Sequence, residues 1–410
     1  MANRYRAYPS HAQAEGLSRH CADARYVWNL ALEQANFYRP EWGPTPGPAE
    51  RQRQLAEARR GSWLGEGSSS VQQQALRDFD RAMANWWAGT HRRPTWRRKD
   101  QHEGFCVRDV TMHKLNAKWA EVNVPKMGPL RFRLSRPLPE EFGMVRVTAD
   151  RAGRWHVSFA APQPAVPRVG TGAMVGIDRG VATTMATSDG KMFRVPRSAR
   201  LVAKAGRLQA QMSRQKKGSA RRRRTKAALA KVHARISDRR RDWVEKTTTR
   251  LVKDYSVIVL EDLRTKDMLK RPKAKPDPGH EGAFLPNGAR AKAGLNKAIQ
   301  SACWGMLLER LQQKALVSGV QVVLVAPHFT SQECHACNHV APENRESQAV
   351  FRCVACGHQN HADINAALNI LARGLSSLAP TPGQGACRPS AGARRSPHRA
   401  AARTPQQVAA

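Results

Sequence analysis

Two pairs of cysteines near the end of this chain, Cys334-x2-Cys337 and Cys353-x2-Cys356, are separated by fifteen residues. Each pair can turn two thiolates toward one ion, and the separation suits two knuckles closing on a single tetrahedral metal. With cysteine at all four positions, the pattern predicts a zinc ribbon holding one structural Zn²⁺, with no open position for water. Gly357, directly after the last cysteine, suits a tight metal-binding turn. His335, His339 and His358 lie beside the knuckles and read as surface residues rather than ligands. A closed clip of this kind holds shape and also positions the chain just beyond it. Seven residues past Cys356 comes Asp363, in the run Asn360-His361-Ala362-Asp363-Ile364-Asn365.

Charge narrows the class further. Lysine and arginine number 69 against 32 acidic residues in 410, a formal charge of +37. So large an excess costs self-repulsion, and it points to a polyanionic partner. An anionic membrane surface is the competing partner, but no apolar run approaches the roughly 20 residues a spanning helix needs, and no signal peptide is visible. The chain reads as intracellular. The remaining cysteines, Cys21, Cys106, Cys303 and Cys387, show no paired spacing, so no disulfide framework is expected, and Cys21 and Cys303 read as small core residues.

Periodicity divides the chain. Residues 1–8 read as a short strand, and Ser10 with Gln13 forms a capping box for a helix whose buried face is Leu17, Cys21, Ala24, Trp28, Ala31 and Ala35. Residues 40–48 break it, and a second amphipathic helix follows Ser68–Ser70, so about 11–90 is helical. From Phe105 to Phe159 the period becomes two, with a hairpin turn at Asp150–Gly153, predicting a small antiparallel barrel or sheet. The Pro-rich stretch 162–167 reads as a linker. After it come an apolar strand ending in Asp178, two further strands around the turn Ser188-Asp189-Gly190, and helical sequence from about 198 to 254 interrupted near Gly218. Val257–Leu260 is a buried strand followed at once by Glu261. Residues 265–292 read as a mobile loop, about 295–317 as a helix and Val320–Val325 as a strand. Beyond Arg373 the composition predicts disorder.

Three strands, a helix, a strand, a helix, a strand and a last helix is the order of an RNase H-like fold. In that order Asp178, Glu261 and Asp363 converge. Taken singly, an acid at a strand end is usually a solvated cap; Asp189 reads as a turn residue, and Asp262 should face away from Glu261. Three gathered carboxylates raise one another's pKa, a cost that a pair of Mg²⁺ ions about 4 Å apart removes while clamping both oxygens of a phosphodiester.

Residues 194–241 hold eighteen Lys or Arg and one acid, Asp238, with Leu229, Val232 and Ile236 as a buried seam. Ordinary solvated helices mix both signs, so this stretch reads as a phosphate-backbone surface, with Arg214, Lys216, Lys217, Arg221, Arg222, Arg223 and Arg224 as candidate contacts. Arg92–Lys99 adds a second cluster in which Trp96 either stacks bases or belongs to the neighbouring core.

In combination these segments resemble the TnpB family, the OrfB-type proteins of bacterial insertion sequences, which are RNA-guided DNA nucleases related to type V CRISPR effectors. Val175-Gly176-Ile177-Asp178-Arg179-Gly180-Val181 is similar to the first RuvC motif, and Val257-Ile258-Val259-Leu260-Glu261-Asp262-Leu263 to the second. Ala362-Asp363-Ile364-Asn365-Ala366-Ala367 with Asn369-Ile370 is similar to the third. Ser213–Ser219 and Arg241-Asp242-Trp243 resemble the bridging-helix motifs, Thr330-Ser331-Gln332 the ribbon entry, and Arg25-Tyr26-Val27-Trp28-Asn29 a motif near the start. The resemblance covers the chain to about residue 373. It implies a catalytic triad of Asp178, Glu261 and Asp363 using Mg²⁺, a guide RNA, and a double-stranded DNA target with a short flanking motif. It implies a multidomain α/β architecture: a RuvC-like nuclease domain (172–330 and 359–373) with the zinc ribbon (331–358) inserted. Ahead of it would stand a barrel-like wedge domain (1–10 and 93–168) carrying a helical recognition lobe (11–92), and behind it a disordered tail (374–410). It also implies a bacterial cytoplasmic, nucleoid-associated location. A guide-dependent repressor or transposition accessory that binds without cutting, and a strand-joining transposase, are the alternatives. The sequence selects neither monomer nor homodimer.

Overall fold

The computed structural model describes residues 2–38, 41, 46–108, 110–167, 172–280 and 282–378. Strand β1 (Ala2–Ala7) leads into helices α1 (His11–Phe37), α2 (Pro48–Arg60) and α3 (Ser69–Trp87). Ser10 starts α1 as expected, accepting from the Gln13 N–H while the Gln13 side chain accepts from the Ser10 N–H. The helix buries Leu17, Cys21, Ala24, Trp28 and Ala31. Helix α2 lies within the expected helical region 11–90, which does not single it out; it buries only Arg51 and Leu55 and so carries almost no apolar stripe.

Strands β2 (Gly104–Arg108), β3 (Met112–Lys114), β4 (Trp119–Val124), β5 (Gly128–Arg133), β6 (Met144–Ala149) and β7 (Trp155–Ala160) join β1 in one antiparallel sheet ordered β2-β6-β7-β1-β5-β4-β3. The first strand therefore lies mid-sheet, with Tyr5 opposite Val157 and Ala7 opposite Phe132. The turn at Asp150 closes β6 onto β7 through a 2.9 Å bond from the Gly153 N–H. Helices and sheet share a core that includes Tyr5, Leu17, Trp28, Phe79, Phe105, Phe132 and Phe159.

The second half builds β8 (Met174–Asp178), β9 (Met185–Thr187), β10 (Met192–Phe193), α4 (Ala199–Ser213), α5 (Ala220–Asp254) and β11 (Val257–Glu261). Then come α6 (Thr265–Met268), β12 (Lys275–Pro276), β13 (Phe284–Leu285), α7 (Ala289–Ala302), α8 (Trp304–Ser318), β14 (Gln321–Val325), β15 (Val350–Arg352), β16 (Gln359–His361) and α9 (Ala362–Leu378). The main sheet is ordered β10-β9-β8-β11-β14, antiparallel at β10 and β9 and parallel from β8 to β14.

Three expectations need correction. The stretch 265–292 is a short helix, a two-residue-per-strand hairpin and the start of α7, elements too brief to leave a periodic signal. The helix expected at 295–317 is two helices, parted at Cys303, whose backbone is left-handed at φ 60°. Helix α9 continues five residues beyond Arg373, to Leu378, because Ile370 and Gly374 are still buried against the sheet. The rest of the tail, with Cys387, lies outside the described residues.

Alternation along the strands sorts the sheet's two faces. Val175, Ile177, Ile258 and Leu260 pack with Val244, Leu251 and Val252 of α5 and Leu307, Leu311 and Ala315 of α8. Val259 and Val325 face the other way, onto Ile370 and Leu371 of α9. Each fully buried side chain of this kind stabilises by about 1.5–3 kcal/mol. Helix α9 lies unusually low on that second face. A Cβ on Gly176 would stand 2.0 Å from the Ala367 carbonyl oxygen, and one on Gly374 2.4 Å from a Val259 methyl. Gly176→Ala should therefore lift α9 and cost about 1–3 kcal/mol by overpacking. Thermal unfolding checks this; an unchanged midpoint would show that the close approach is not required.

Candidate active site

Sheet register brings two of the predicted acids together. Strand β11 runs parallel to β8 with Val257 opposite Met174 and Leu260 opposite Ile177, so Glu261 and Asp178 end neighbouring strands at matching positions. Both lie on the parity of Gly176 and Val259, the face that α9 covers. Asp363 is in the first turn of α9, one turn before Ala367, and is buried. All three carboxylates thus gather at the strand ends beneath the start of α9. Asp262 points the other way and is exposed, as expected from alternation. Asp189 is a turn residue: it accepts from the Thr187 and Tyr255 hydroxyls and pairs with Lys191 at 2.9 Å, which holds its carboxyl down at about 2.

Electrostatics at the cluster are unfavourable without a counter-ion. Burial, then Glu261, then Asp363 push the Asp178 carboxyl up to about 7. Burial also raises Glu261. Two carboxylates one strand spacing apart repel by about 3 kcal/mol at an effective dielectric of about 20. Several groups offset part of this. Thr330 donates its hydroxyl to Glu261 Oε1 at 2.7 Å, and the buried Arg179 guanidinium donates to the Glu261 carbonyl. Arg345, carried by the ribbon, reaches Asp363 at 3.5 Å. Sequence reading placed Thr330 and Arg179 inside motifs without a role and passed over Arg345, since nothing local marks a side chain that reaches across a fold.

The four ribbon cysteines come together as expected. Their sulfurs all lie within 4.8 Å, with Cys334 and Cys356 3.7 Å apart and Cys337 and Cys353 3.5 Å apart. Sulfurs at about 2.3 Å from a tetrahedral zinc sit about 3.8 Å from one another, so the donor set and spacing fit that ion. The knuckles repeat one another. Asn338 and Gly357, each four residues after its first cysteine, are both left-handed, at φ 61° and 73°. Buried Asn344 stitches them, donating to the Gln332 and His339 carbonyls and accepting from the Val354 N–H. The histidines stay out of the cluster, His335 and His339 being exposed. Among the described residues this is the group of His, Cys, Asp and Glu whose ligand atoms all fall within 4.8 Å; the three carboxylates are set more widely.

Helix α9 joins ribbon to acids. Asn365 accepts from the His335 N–H and donates to the Glu333 carbonyl, and Asn369 donates to the Thr330 and Glu333 carbonyls. Arg373 pairs with Glu333 at 2.5 Å. The four-cysteine cluster is thereby bolted to the helix whose first turn carries Asp363.

Helices α4 and α5 form a hairpin with its own seam of Ala205, Leu229, Val232 and Ile236. Arg214, Lys216, Lys217, Arg221, Arg223 and Arg224 are exposed around its turn. Arg222 is half-buried, and its guanidinium closes the turn by donating from Nη1 to the Met212 and Gln215 carbonyls. In the second basic cluster Trp96 is 47% exposed rather than buried, whereas Arg97 stacks on the Trp28 ring at 3.6 Å.

Comparison with known proteins picks out three segments. Residues 304–370 match a family model described as "Cas12f1-like, TNB domain", 156–271 one described as "Probable transposase" (OrfB of IS605), and 1–39 one described as "Helix-turn-helix domain". In the last stretch the described residues form a strand and one unbroken helix rather than two helices about a turn. The chain is 33% identical to the Escherichia coli K12 protein named "Putative RNA-guided DNA endonuclease InsQ", over 92% of this chain and 93% of that one. The chain belongs to the TnpB family. A Streptomyces pristinaespiralis relative with the same descriptive name is also 33% identical, over 92% and 90% of the two chains. The cryo-EM structure titled as a Cas12f1–sgRNA–target DNA complex superposes with a TM-score of 0.50 at 13% identity, covering 88% of this chain and 83% of that one. The TnpB chain thus has the multidomain mixed α/β fold of that effector. Among its described residues no helix is long and apolar enough to cross a membrane.

Proposed function

We propose that this TnpB-family chain is an RNA-guided DNA endonuclease. It would use Asp178, Glu261 and Asp363 with two Mg²⁺ ions to hydrolyse a phosphodiester once a guide RNA has paired with its target. The observation that carries this reading is the gathering of Asp178, Glu261 and Asp363 at the strand ends beneath the first turn of α9, where burial and the other two acids raise the Asp178 carboxyl. Three oxygen donors that repel one another, Glu261 and Asp363 buried and Asp178 half-buried, fit hard divalent cations, and a set too wide for one ion suits two. When bound, the ions supply an activated water and a clamp on the phosphate. The chain's own part is to hold the donors: Thr330 orients Glu261, Asn365 and Asn369 fix α9, and Arg345 brings positive charge beside Asp363. One Zn²⁺ in the cysteine cluster would keep Arg345 and α9 in place.

The remaining assignments agree with that reading. The sheet β10-β9-β8-β11-β14 with α4, α5, α7, α8 and α9 would be the RuvC-like, RNase H-like domain, spanning 172–330 and the segment from 359 to the end of α9. The ribbon 331–358 is its insertion. The sheet of 1–10 and 93–168 would be the wedge, carrying the helices of 11–92, and would read a short flanking DNA element. Exposed Arg and Lys on the α4–α5 hairpin would hold guide and heteroduplex by their backbones while base pairing selects the sequence. Location in the bacterial cytoplasm, on the nucleoid, accords with that substrate.

Expression with its flanking DNA should yield protein carrying one RNA species, and that complex should cut matching double-stranded DNA in Mg²⁺. Binding without cutting would favour the repressor reading, and joined strands the transposase reading. Replacing Arg221, Arg223 and Arg224 by Gln should lower the slope of log affinity against log salt by about 2–3. Arg222→Gln should instead leave the slope unchanged and lower the melting midpoint; equal slope losses in both variants would contradict the assignment.

A further inference from the structure

Phe329 is the one large apolar side chain among the described residues that is both strongly exposed and on left-handed backbone: 62% exposed, φ 61°. Bulky residues rarely hold that conformation, and no burial of the ring offsets it. The segment around it is nevertheless tightly fixed. Arg373 donates to the Ala326 and His328 carbonyls at 3.3 and 2.6 Å, and Asn369 to the Thr330 carbonyl at 3.0 Å. The Phe329 carbonyl accepts from the Gln332 and Glu333 N–H groups at 2.9 and 3.0 Å. The next residue, Thr330, turns inward and holds Glu261 at 2.7 Å. A ring is thus held out into solvent from a rigid clamp, one residue from the hydroxyl that orients an acidic-site carboxylate.

We infer that Phe329 is a positioning residue, a post on which one nucleobase of the DNA strand lying at the carboxylates stacks, so that a defined phosphate faces them. The inference rests on the nuclease reading. Stacking on an aromatic face tolerates any base, as a cutter whose sequence choice comes from a guide requires. The rigid backbone supplies the register. A ring free to swing could not.

The test uses the guide-loaded protein and a matched DNA strand carrying 2-aminopurine at successive positions around the cut. Ca²⁺ replaces Mg²⁺ so that the strand is held uncut. Quenching is expected at one position, lost in Phe329→Ala and kept in Phe329→Trp and Phe329→Tyr. In Mg²⁺, Phe329→Ala should cut about five- to hundredfold more slowly, with scattered cut positions. An abasic site at the quenched position should slow the wild type and leave the variant unchanged. Phe329→Gly relieves the backbone, so it should melt no lower than the wild type while cutting as poorly as Phe329→Ala. Quenching that survives in Phe329→Ala overturns the inference, as does Phe329→Leu matching Phe329→Trp in both readouts. Strand quenched at that position but never cut in Mg²⁺ would sink the nuclease reading and leave the stacking post standing. Strand cut without quenching would do the reverse.

Discussion

Asp178→Asn should yield a protein that is more stable without metal and does not cut. Cleavage should fall about a thousandfold or more, because the substitution removes a donor from the site that stabilises the reacting phosphate. The stability gain comes from linkage. In the folded chain the carboxyl releases its proton near 7, against about 3.8 unfolded. Between those values the folded state holds a proton that the unfolded state has lost, so metal-free stability falls as pH rises from about 4 to about 7 and then levels. Above pH 7 the charged carboxylate costs the fold up to about 4 kcal/mol. Denaturant unfolding of the zinc-loaded protein without added Mg²⁺ should show that decline in the wild type, and a smaller one in Asp178→Asn, where raised Glu261 remains. At pH 8 the variant should be about 2–4 kcal/mol more stable. A variant destabilised at pH 8, or one that still cuts, would remove Asp178 from the site.

The second large effect belongs to the ribbon. Structural zinc sites of this donor set contribute about 10–16 kcal/mol of binding free energy to the folded state. Losing the ion by Cys353→Ser, or by a strong chelator, should unfold 331–358 and free Asn365 and Asn369 from their carbonyl partners. Arg345 would leave Asp363. Cleavage should drop about a hundredfold or more, while the β1–β7 sheet and α1–α3, which share a separate core, keep their own melting transition. Zinc content by mass spectrometry, calorimetry and cleavage assay check the three parts. Full activity in zinc-free protein would show that the ribbon does not position the acids.

What could be read from residues alone was whatever depends on period and spacing. Asp178 and Glu261 were legible because each ends a short apolar strand, and parallel register then sets them side by side. The cysteine clip and the capping box at Ser10 announce themselves by fixed offsets. Side chains whose purpose is a distant partner left no such trace. Arg222 looked like its three exposed neighbours until the turn carbonyls it closes were in view. Arg345 and Thr330 matter because the ribbon folds back on the sheet, which no local pattern encodes. Helix α2 falls in the expected helical region without bounds of its own, because its sequence, mostly Gln, Arg, Glu and Ala, offers Leu55 as its one buried apolar anchor. The last helix reads as ending at Arg373 because the composition turns featureless there, while Gly374 is still pressed against Val259.

The claim beneath all of this is that three carboxylates distant in sequence hold a pair of divalent ions. Mn²⁺ titration of the guide-loaded protein, read by electron paramagnetic resonance at fixed zinc content, measures it directly. Two spin-coupled Mn²⁺ ions in the wild type, and loss of the coupled signal in each of Asp178→Asn, Glu261→Gln and Asp363→Asn, is the predicted result. Uncoupled binding, or a coupled signal that survives any one of those substitutions, would contradict it.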